Sequence, residues 1–329
     1  MKQLLLEAFT VQRKLPASTN PQDVGLFEHE LDKRFPAVYL HTLKNAYVLK
    51  DLVFSGFKFY TRESLSYAMP AKEQLKRLPY ILKRGDHYEK CAWITDDWSM
   101  GYFHWFADAL PRLIASEKYI QGHQVLLHEN FKKVNYTLES LDILGFEYVF
   151  YSGRCKIDEL LLPGHIAPSG NYNLPLLHKI RGRLLKNFQG IIPHRKIYIS
   201  RAQSAMRKLQ EEEDFIALIK KYGFEIHHFE NYSLEQQMHL MQETQFLLGM
   251  HGGGLTNIYF MQENAKVLEL RFPKDALNNC YFSLASAINI RYHYFIASNT
   301  SADFHVSDMI INRDEFEKTL QQFLAGDHA

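Results

Sequence analysis

Three consecutive glycines, Gly252–Gly254, constrain the fold of this chain more than any other feature. An apolar run, QFLLGM, comes before them and is separated from them only by His251. An amphipathic segment, LTNIYFM, follows at once. Each glycine costs backbone entropy and contributes no packing, so such a run indicates that the backbone has to approach something closely. This layout predicts a strand, a tight turn and the first turn of a helix.

The glycine turn is a candidate site for an anion. The open N–H groups at the start of a helix suit a phosphate or diphosphate. His251 can donate a hydrogen bond, or a charge when protonated, to the same anion. A tight strand-to-helix turn with a buried histidine is an equally good interpretation of the glycines alone, because glycine-rich loops are common.

Strands alternate with helices in the C-terminal part of the chain, which predicts a parallel, doubly wound sheet. A capping box at Ser233 and Gln236 and a C-cap at Gly223 mark the ends of two of the helices. Ligands of such sheets bind beyond the carboxyl ends of the strands, where the glycine turn falls. The predicted strands are KIYIS (196–200), FEIHHF (224–229), QFLLG (245–249), KVLEL (266–270) and RYHYF (291–295).

The length of 329 residues favours two domains. We place the boundary at QGIIPHR (189–195), where Gly and Pro interrupt the pattern, so that residues 1–190 form one α/β domain and residues 191–329 the other. Residues 35–95 are aromatic and rich in turns, and we expect a small antiparallel β-meander there, attached to the first domain as a β-rich extension.

Composition excludes several classes of protein. The hydrophobic content of 46% argues against disorder, and a net charge of +1 gives no electrostatic case for nucleic acid. Cys91, Cys155 and Cys280 lie far apart, so neither a zinc site nor a disulfide framework is expected, and a reducing cytoplasm fits best. The apolar core of the first 16 residues is too short for a signal peptide, and no run could span a bilayer. We expect a cytoplasmic protein whose membrane association, if any, is peripheral.

Two further clusters belong with the glycine turn. Arg201 follows the KIYIS strand at a carboxyl end of the same sheet, where its forked guanidinium suits diphosphate oxygens, although a surface ion pair is the commoner role.

In GYFHWFADALPRL (101–113), His104 and Asp108 are four residues apart and share a helical face. A carboxylate beside an imidazole can act as a general base, or the pair can simply hold a helix in place.

Three ordered blocks resemble glycosyltransferase family 61, in particular its bacterial members from surface-polysaccharide gene clusters. These blocks lie between about residues 95 and 275, and the family patterns are His-Trp-x-x-Asp with Leu-Pro-Arg, an Ile-Ser-Arg strand end, and HGAGLTN before a strand ending in Glu. Two departures are mild, since Gly253 stands where alanine is usual and Gln210 where asparagine is usual. The matching stretches are GYFHWFADALPRL, KIYISRAQSAMRKLQEEEDF and LLGMHGGGLTNIYFMQENAKVLEL.

The resemblance implies a GT-B fold, in which two Rossmann-like domains face a cleft. It also implies an inverting transfer from a nucleotide sugar, expected to be UDP-linked, without an obligatory metal or other cofactor. The first domain would then lie on the acceptor side, with Asp108 as the base, oriented by His104, or with His104 itself as the base. Trp93, Trp98 and Trp105 are candidate platforms for the acceptor sugar, although a core cluster is the commoner use. The expected donor contacts are Arg201, Arg207, His251, Gly252, Gly253, Gly254, Leu255, Thr256 and Glu269.

The expected function is extension of a capsule, lipopolysaccharide or exopolysaccharide repeat. The partners would be a nucleotide sugar and an oligosaccharide or lipid-linked glycan acceptor, with a peripheral association with the inner membrane left open. Asp96–Asp97 is adjacent rather than spaced as Asp-x-Asp, so no metal site is expected. Two alternatives stay open: a polysaccharide pyruvyl transferase, which would release phosphate, and a non-catalytic sugar-nucleotide-binding partner.

Overall fold

The computed structural model describes residues 1–16, 18–273, 275–301 and 307–325. The chain forms two compact units, the first from Met1–Val11 and Arg34–Lys186, the second from Gln12–Lys33 and Asn187–Ala329. An early segment therefore clusters with the second unit, whereas the division at residue 190 places it in the first domain. The cause is Phe27, which is fully buried and packs against the rings of Phe282 and Tyr292.

An eight-stranded mixed sheet forms the first unit, and its strands run β6-β5-β4-β10-β7-β8-β9, with β1 beside β4. Strands β10, β7, β8 and β9 are parallel, whereas β1, β4, β5 and β6 pair antiparallel. The strands are β1 (Lys2–Leu6), β2 (Phe9–Gln12), β3 (Asp32–Phe35), β4 (Val38–Leu49), β5 (Leu52–Ser55), β6 (Lys58–Phe59), β7 (Asp86–Ala92), β8 (Gln124–His128), β9 (Tyr148–Tyr151) and β10 (Arg154–Pro163); β2 and β3 form a sheet of their own.

The predicted β-rich extension at residues 35–95 is wrong as a separate element. Strand β4 pairs with β10 along nearly its whole length and so lies inside the main sheet, and β7 belongs to the parallel part. The buried residues of β4, including Leu43, Ala46 and Val48, contribute to the core of the unit. Because the first sheet is mixed, the expectation of a doubly wound parallel sheet holds only for its β10-β7-β8-β9 half.

Helices of the first unit carry one of the sequence clusters. The segment from Tyr102 to Ala115 is continuous, with a π-helical stretch at Trp105–Ala109 between two α-helical pieces. The helices are α1 (Thr61–Ser64), α2 (Ala71–Leu75), α3 (Tyr102–His104), α4 (Leu110–Ala115), α5 (Asn135–Leu144) and α6 (Leu174–Leu184), with 3-10 turns at Leu78–Leu82 and Glu129–Lys133. Helix α5 ends at Gly145 in the left-handed conformation, which glycine adopts readily.

The second unit is built on five parallel strands in the order β12-β11-β13-β14-β15. All five strands predicted from apolar runs are confirmed. When these five strands are numbered in chain order, their order in the sheet is 2-1-3-4-5. The chain adds β12 on one side of β11 and the later strands on the other side, so the direction of strand addition reverses between β11 and β13. In such sheets a ligand crevice opens at that switch point, beyond the carboxyl ends of the two strands. The strands are β11 (Arg195–Ile199), β12 (Glu225–His227), β13 (Thr244–Met250), β14 (Lys266–Arg271) and β15 (Arg291–Ile296), followed by the small pair β16 (Ser298–Asn299) and β17 (Met309–Ile310).

Helices cover the second sheet. The capping box of Ser233 and Gln236 is formed at the start of α8. The glycine turn leads into a 3-10 helix, Gly253–Phe260, rather than an α-helix. The helices are α7 (Glu212–Lys221), α8 (Leu234–Gln242), α9 (Cys280–Ala287) and α10 (Arg313–Leu324), with 3-10 turns at Pro21–Leu26, Glu28–Glu30 and Phe229–Asn231. Across the part of the chain that the structure describes, no helix is both long and apolar enough to cross a membrane.

Candidate functional site

Arg201 and the glycine turn lie together at the switch point of the second unit. Ser200 and Arg201 follow β11, and His251 and Gly252 follow β13, the neighbouring parallel strand. A Cβ atom added to Gly252 would lie 2.2 Å from Nη1 of Arg201, so the guanidinium rests directly against the glycine backbone. The structure thus brings two of the sequence clusters to one point.

The guanidinium of Arg201 is held from its own loop. Nε donates to the Arg207 carbonyl at 3.1 Å, and Nη2 donates to Ser204 Oγ at 2.9 Å and to the Met206 carbonyl at 3.2 Å. Burial lowers the pKa of Arg201, and the nearby charge of Arg207 lowers it further. Within the described residues, no carboxylate forms a salt bridge with it. A fixed, half-buried cation without an anionic partner among the described residues is suited to an anionic ligand.

The three glycines differ in what surrounds them. Gly252 has φ 156° and ψ 174°, a region that essentially only glycine occupies. A Cβ at Gly254 would lie 2.9 Å from Cγ2 of Ile199, and a Cβ at Gly253 would meet nothing within 4 Å. Gly253 and Gly254 are the first residues of the 3-10 helix, so their N–H groups have no acceptor inside it.

His251 is oriented by a buried carboxylate. Its Nδ1 lies 2.5 Å from Oε1 of Glu269, and the Tyr292 hydroxyl donates to the other oxygen of Glu269. Glu269 is fully buried, and both its oxygens are engaged within the unit. Its position beneath His251 leaves Nε2 of the imidazole as the nitrogen that a ligand could reach.

The remaining predicted donor contacts are less direct. The Leu255 side chain is buried, and its N–H donates to the Gly252 carbonyl at 2.9 Å. The Thr256 side chain is also buried. Arg207 contributes its carbonyl to Arg201 and a positive charge nearby. Tyr281, which the sequence did not indicate, donates to the Gly252 carbonyl at 2.6 Å and fixes the turn.

In the first unit, His104 and Asp108 form the pair that the sequence predicts. Nδ1 of His104 lies 2.8 Å from Oδ2 of Asp108. Ser169, in the loop that follows β10, donates from Oγ to the same oxygen at 2.7 Å. Both contacts use Oδ2, and no hydrogen bond from any described residue reaches Oδ1. One carboxylate oxygen is therefore fixed while the other is left for a ligand.

Asp108 faces a cavity of about 650 Å³, here called the base cavity, lined also by Trp98, Ser169, Asp96 and His165. Burial raises the pKa of Asp108, and the hydrogen bonds from His104 and Ser169 act in the opposite direction. A raised pKa makes a carboxylate a stronger base once it is ionised. Because Trp98 is 47% exposed and its ring lies 4.9 Å from the His104 ring, it can flank a ligand in this cavity.

A buried arginine, which was not predicted from the sequence, holds the loops around Asp108 by hydrogen bonds. Arg112 is fully buried and donates to the carbonyls of Glu63 at 2.5 Å and Pro163 at 2.6 Å. Burial lowers its pKa to about 10. Nearby, burial lowers the pKa of His165 to about 4, so that imidazole is neutral at pH 7. The signals were present in the sequence as the Leu-Pro-Arg after the His–Asp pair and a Pro-Ser-Gly loop containing Ser169, but nothing local linked them.

Two of the three tryptophans are not platforms at the base cavity. Trp105 is fully buried and its Nε1 donates to Ser140 Oγ at 2.8 Å. Trp93 is almost fully buried and packs against Tyr151. The commoner core role applies to Trp105, and Trp98 alone of the three is well exposed.

Among the described residues, no group of three or more His, Cys, Asp and Glu side chains has the arrangement of a metal site. Asp96 and Asp97 are engaged separately: Oδ1 of Asp96 accepts from Ser99 Oγ at 2.8 Å, and Asp97 accepts from the backbone and hydroxyl of Ser66, each at 2.8 Å. The two carboxylates thus serve different turns.

The sequence model of the family described as Glycosyltransferase 61 matches residues 102–268, a range that contains the His104–Asp108 pair, Arg201 and the glycine turn. The chain is 32% identical over 106 residues to the EGF domain-specific O-linked N-acetylglucosamine transferase of Drosophila melanogaster. That match covers 30% of the chain, and the chain spans only 20% of the length of this curated relative.

Proposed function

The chain belongs to the glycosyltransferase 61 family, and from that premise we propose that it moves a sugar from a nucleotide sugar, UDP-linked, to a glycan acceptor. The proposal includes the GT-B fold, inversion at the anomeric carbon, and independence from metal. The observation that carries it is the guanidinium of Arg201, which has no ionic partner among the described residues and lies against Gly252 at the switch point of a parallel sheet.

The donor site would bind the diphosphate in the second unit. Arg201 supplies charge and forked donors, His251 supplies Nε2, and the first N–H groups of the Gly253–Phe260 helix point to the same anion. Glu269 acts behind His251 by fixing its ring, not on the sugar. As the bond to the anomeric carbon breaks, charge grows on the leaving phosphate, and these donors stabilise it without reorganisation.

The base would be Asp108 in the first unit. Its Oδ1 takes the proton from an acceptor hydroxyl while the hydroxyl oxygen forms a bond to the anomeric carbon and the nucleoside diphosphate leaves. His104 and Ser169 hold Oδ2 and so orient the carboxylate. His104 is the competing base, because its Nδ1 faces Asp108 and its Nε2 has no hydrogen-bond partner among the described residues.

The cellular role that we propose is extension of a capsule, lipopolysaccharide or exopolysaccharide repeat, at the cytoplasmic face of a membrane. The support for it is the sequence resemblance to bacterial members of the family. The curated relative is named as an N-acetylglucosamine transferase, so UDP-N-acetylglucosamine is the first donor to test.

A thermal-shift screen against UDP-, GDP-, CMP- and dTDP-sugars tests the donor proposal, because a ligand that binds the native state raises the melting temperature. We expect one nucleotide class to stabilise the wild type and not Arg201→Ala. Arg313→Ala is the matched control, since Arg313 is an exposed arginine of the same unit. The proposed site would be rejected if no nucleotide sugar stabilised the wild type, or if a nucleotide sugar stabilised Arg201→Ala to the same extent.

Turnover separates the enzyme classes that remain open. Transfer from a nucleotide sugar releases a nucleoside diphosphate, whereas pyruvyl transfer from phosphoenolpyruvate releases phosphate. A protein that binds nucleotide sugars and releases neither product, with a panel of oligosaccharide acceptors present, would be a binding partner without catalysis.

A further inference from the structure

The first unit has a second cavity, of about 510 Å³, that the proposed reaction does not use. We call it the strand-end cavity, because it lies where three parallel strands finish. Trp93 follows β7, His128 ends β8, and Tyr151 ends β9. Ligand sites in open parallel sheets lie at this edge.

The wall of the strand-end cavity combines aromatic rings with hydrogen-bonding groups. Trp93, Tyr80, Tyr151 and Phe131 contribute rings, and the rings of Trp93 and Tyr151 lie 5.8 Å apart. The Nδ1 of His128 accepts from the backbone N–H of Asn130 at 3.2 Å, so the neutral imidazole carries its proton on Nε2 as a donor. Three of these rings are almost fully buried and only that of Tyr80 is half exposed. One open aromatic face beside isolated donors and acceptors suits a pyranose ring, with its C–H faces and its hydroxyls.

One donor in this wall has no protein partner. The indole Nε1 of Trp93 is buried, and no described residue accepts a hydrogen bond from it. Trp105, a few residues away, satisfies its own indole through Ser140. An unpaired buried N–H is unfavourable, so a small shift of the wall that brings a ligand oxygen to the Trp93 indole would be favoured.

Charge decides between a neutral sugar and a phosphorylated ligand. One lysine, Lys50, and three aspartates, Asp51, Asp96 and Asp97, line the strand-end cavity, and Arg77 pairs with Asp51 from outside the lining, which leaves a formal charge of −1. This charge disfavours the phosphates of a nucleotide or a lipid headgroup. A neutral, hydroxyl-rich ligand carries no such penalty, and its hydroxyls can donate hydrogen bonds to the carboxylates.

We propose that the strand-end cavity is a second acceptor subsite, which binds a neutral pyranose unit of the glycan other than the one that reacts. Asp96 lines both this cavity and the base cavity, so the two are neighbours along one segment. The role as an acceptor subsite rests on the proposed function. The ligand class, a neutral oligosaccharide, follows from the cavity alone.

An array of defined neutral mono- to hexasaccharides tests the subsite on the full chain. We expect the wild type to bind at least one oligosaccharide more tightly than its single sugars. Trp93→Phe keeps the ring and removes the N–H, and should weaken that binding about 3- to 10-fold, the effect of losing one neutral hydrogen bond. Tyr80→Ala removes a half-exposed wall and should weaken it as well.

Tyr148→Ala is the matched control, since Tyr148 is a half-buried tyrosine of the same unit outside this cavity. Each variant is assayed at the same interval below its own melting temperature. If Trp93→Phe does not fold, Tyr80→Ala still tests the subsite. Absence of oligosaccharide binding, or equal binding by Trp93→Phe, Tyr80→Ala and wild type, would overturn the subsite. So would binding of uridine that Tyr80→Ala abolishes, because the cavity would then hold a nucleotide base.

The same variants separate the subsite from the proposed function. If nucleotide sugars stabilise the protein in the same way with and without Tyr80→Ala, while oligosaccharide binding falls, both hold. If no nucleotide sugar binds but oligosaccharide binding still depends on Trp93 and Tyr80, the proposed transfer fails and the carbohydrate site stands.

Discussion

Alanine placed at each glycine of the turn should give three different results. At Gly253 a Cβ meets nothing within 4 Å, so Gly253→Ala should change the free energy of unfolding by less than about 1 kcal/mol, with a gain expected from the stiffer unfolded chain. At Gly254 a Cβ would lie 2.9 Å from the Ile199 side chain, which is buried. Gly254→Ala should therefore cost about 1–3 kcal/mol of stability, as overpacking of a core does.

Gly252→Ala should affect stability and ligand affinity together. The backbone conformation costs alanine about 1–3 kcal/mol. The new Cβ would also meet the Arg201 guanidinium at 2.2 Å and displace it from its hydrogen bonds to Ser204 and Arg207. Losing this charged contact should weaken nucleoside-diphosphate binding by about 1.5–3 kcal/mol.

Urea unfolding and calorimetry with UDP measure the two quantities separately. The expected pattern is no loss for Gly253→Ala, lost stability for Gly254→Ala with a smaller change in affinity, and lost affinity for Gly252→Ala beyond its loss of stability. Equal behaviour of all three variants would show that the turn is a flexible loop and that the contact of Arg201 with Gly252 has no function.

Three other outcomes are expected. Arg201→Ala should weaken UDP binding by about 1.5–3 kcal/mol with Arg313→Ala unchanged, and calorimetric equality of the two would return Arg201 to a surface role. Ser169→Ala removes a hydrogen bond that stabilises the Asp108 carboxylate, so the pKa of Asp108 rises and the acid limb of the rate–pH profile should move to higher pH. An unmoved limb would mean that Asp108 is not the base. Turnover should survive excess EDTA, and a loss that Mn²⁺ restores would disprove metal independence.

The second unit was the more predictable from its sequence. Each strand is a short apolar run flanked by a helix or by a turn residue, and local patterns of this kind fix the type of an element. The order of the strands has no local signal, so the switch point between β11 and β13 could not be read in advance. Helix α9 was missed because its residues, CYFSLASA, are mostly buried and lack an amphipathic stripe.

The candidate sites were predicted where they are local and missed where they are not. His104 and Asp108 are four residues apart, so their pairing follows from helical geometry even through the π-helical stretch. Ser169 is 61 residues from Asp108 and reaches it only through the sheet. The burial of Glu269 and its hydrogen bond from Tyr292, which comes from the next strand, have no local signal in the sequence.

The measurement that tests the account most directly is turnover by Asp108→Asn. The substitution keeps the shape of the side chain and removes its basicity, so kcat should fall by roughly 10²–10⁴ while the affinity for the nucleotide sugar stays within about twofold. His104→Ala should lose less, since the imidazole only orients the carboxylate. Wild-type turnover in Asp108→Asn, with a large loss in His104→Ala, would contradict the account and make His104 the base.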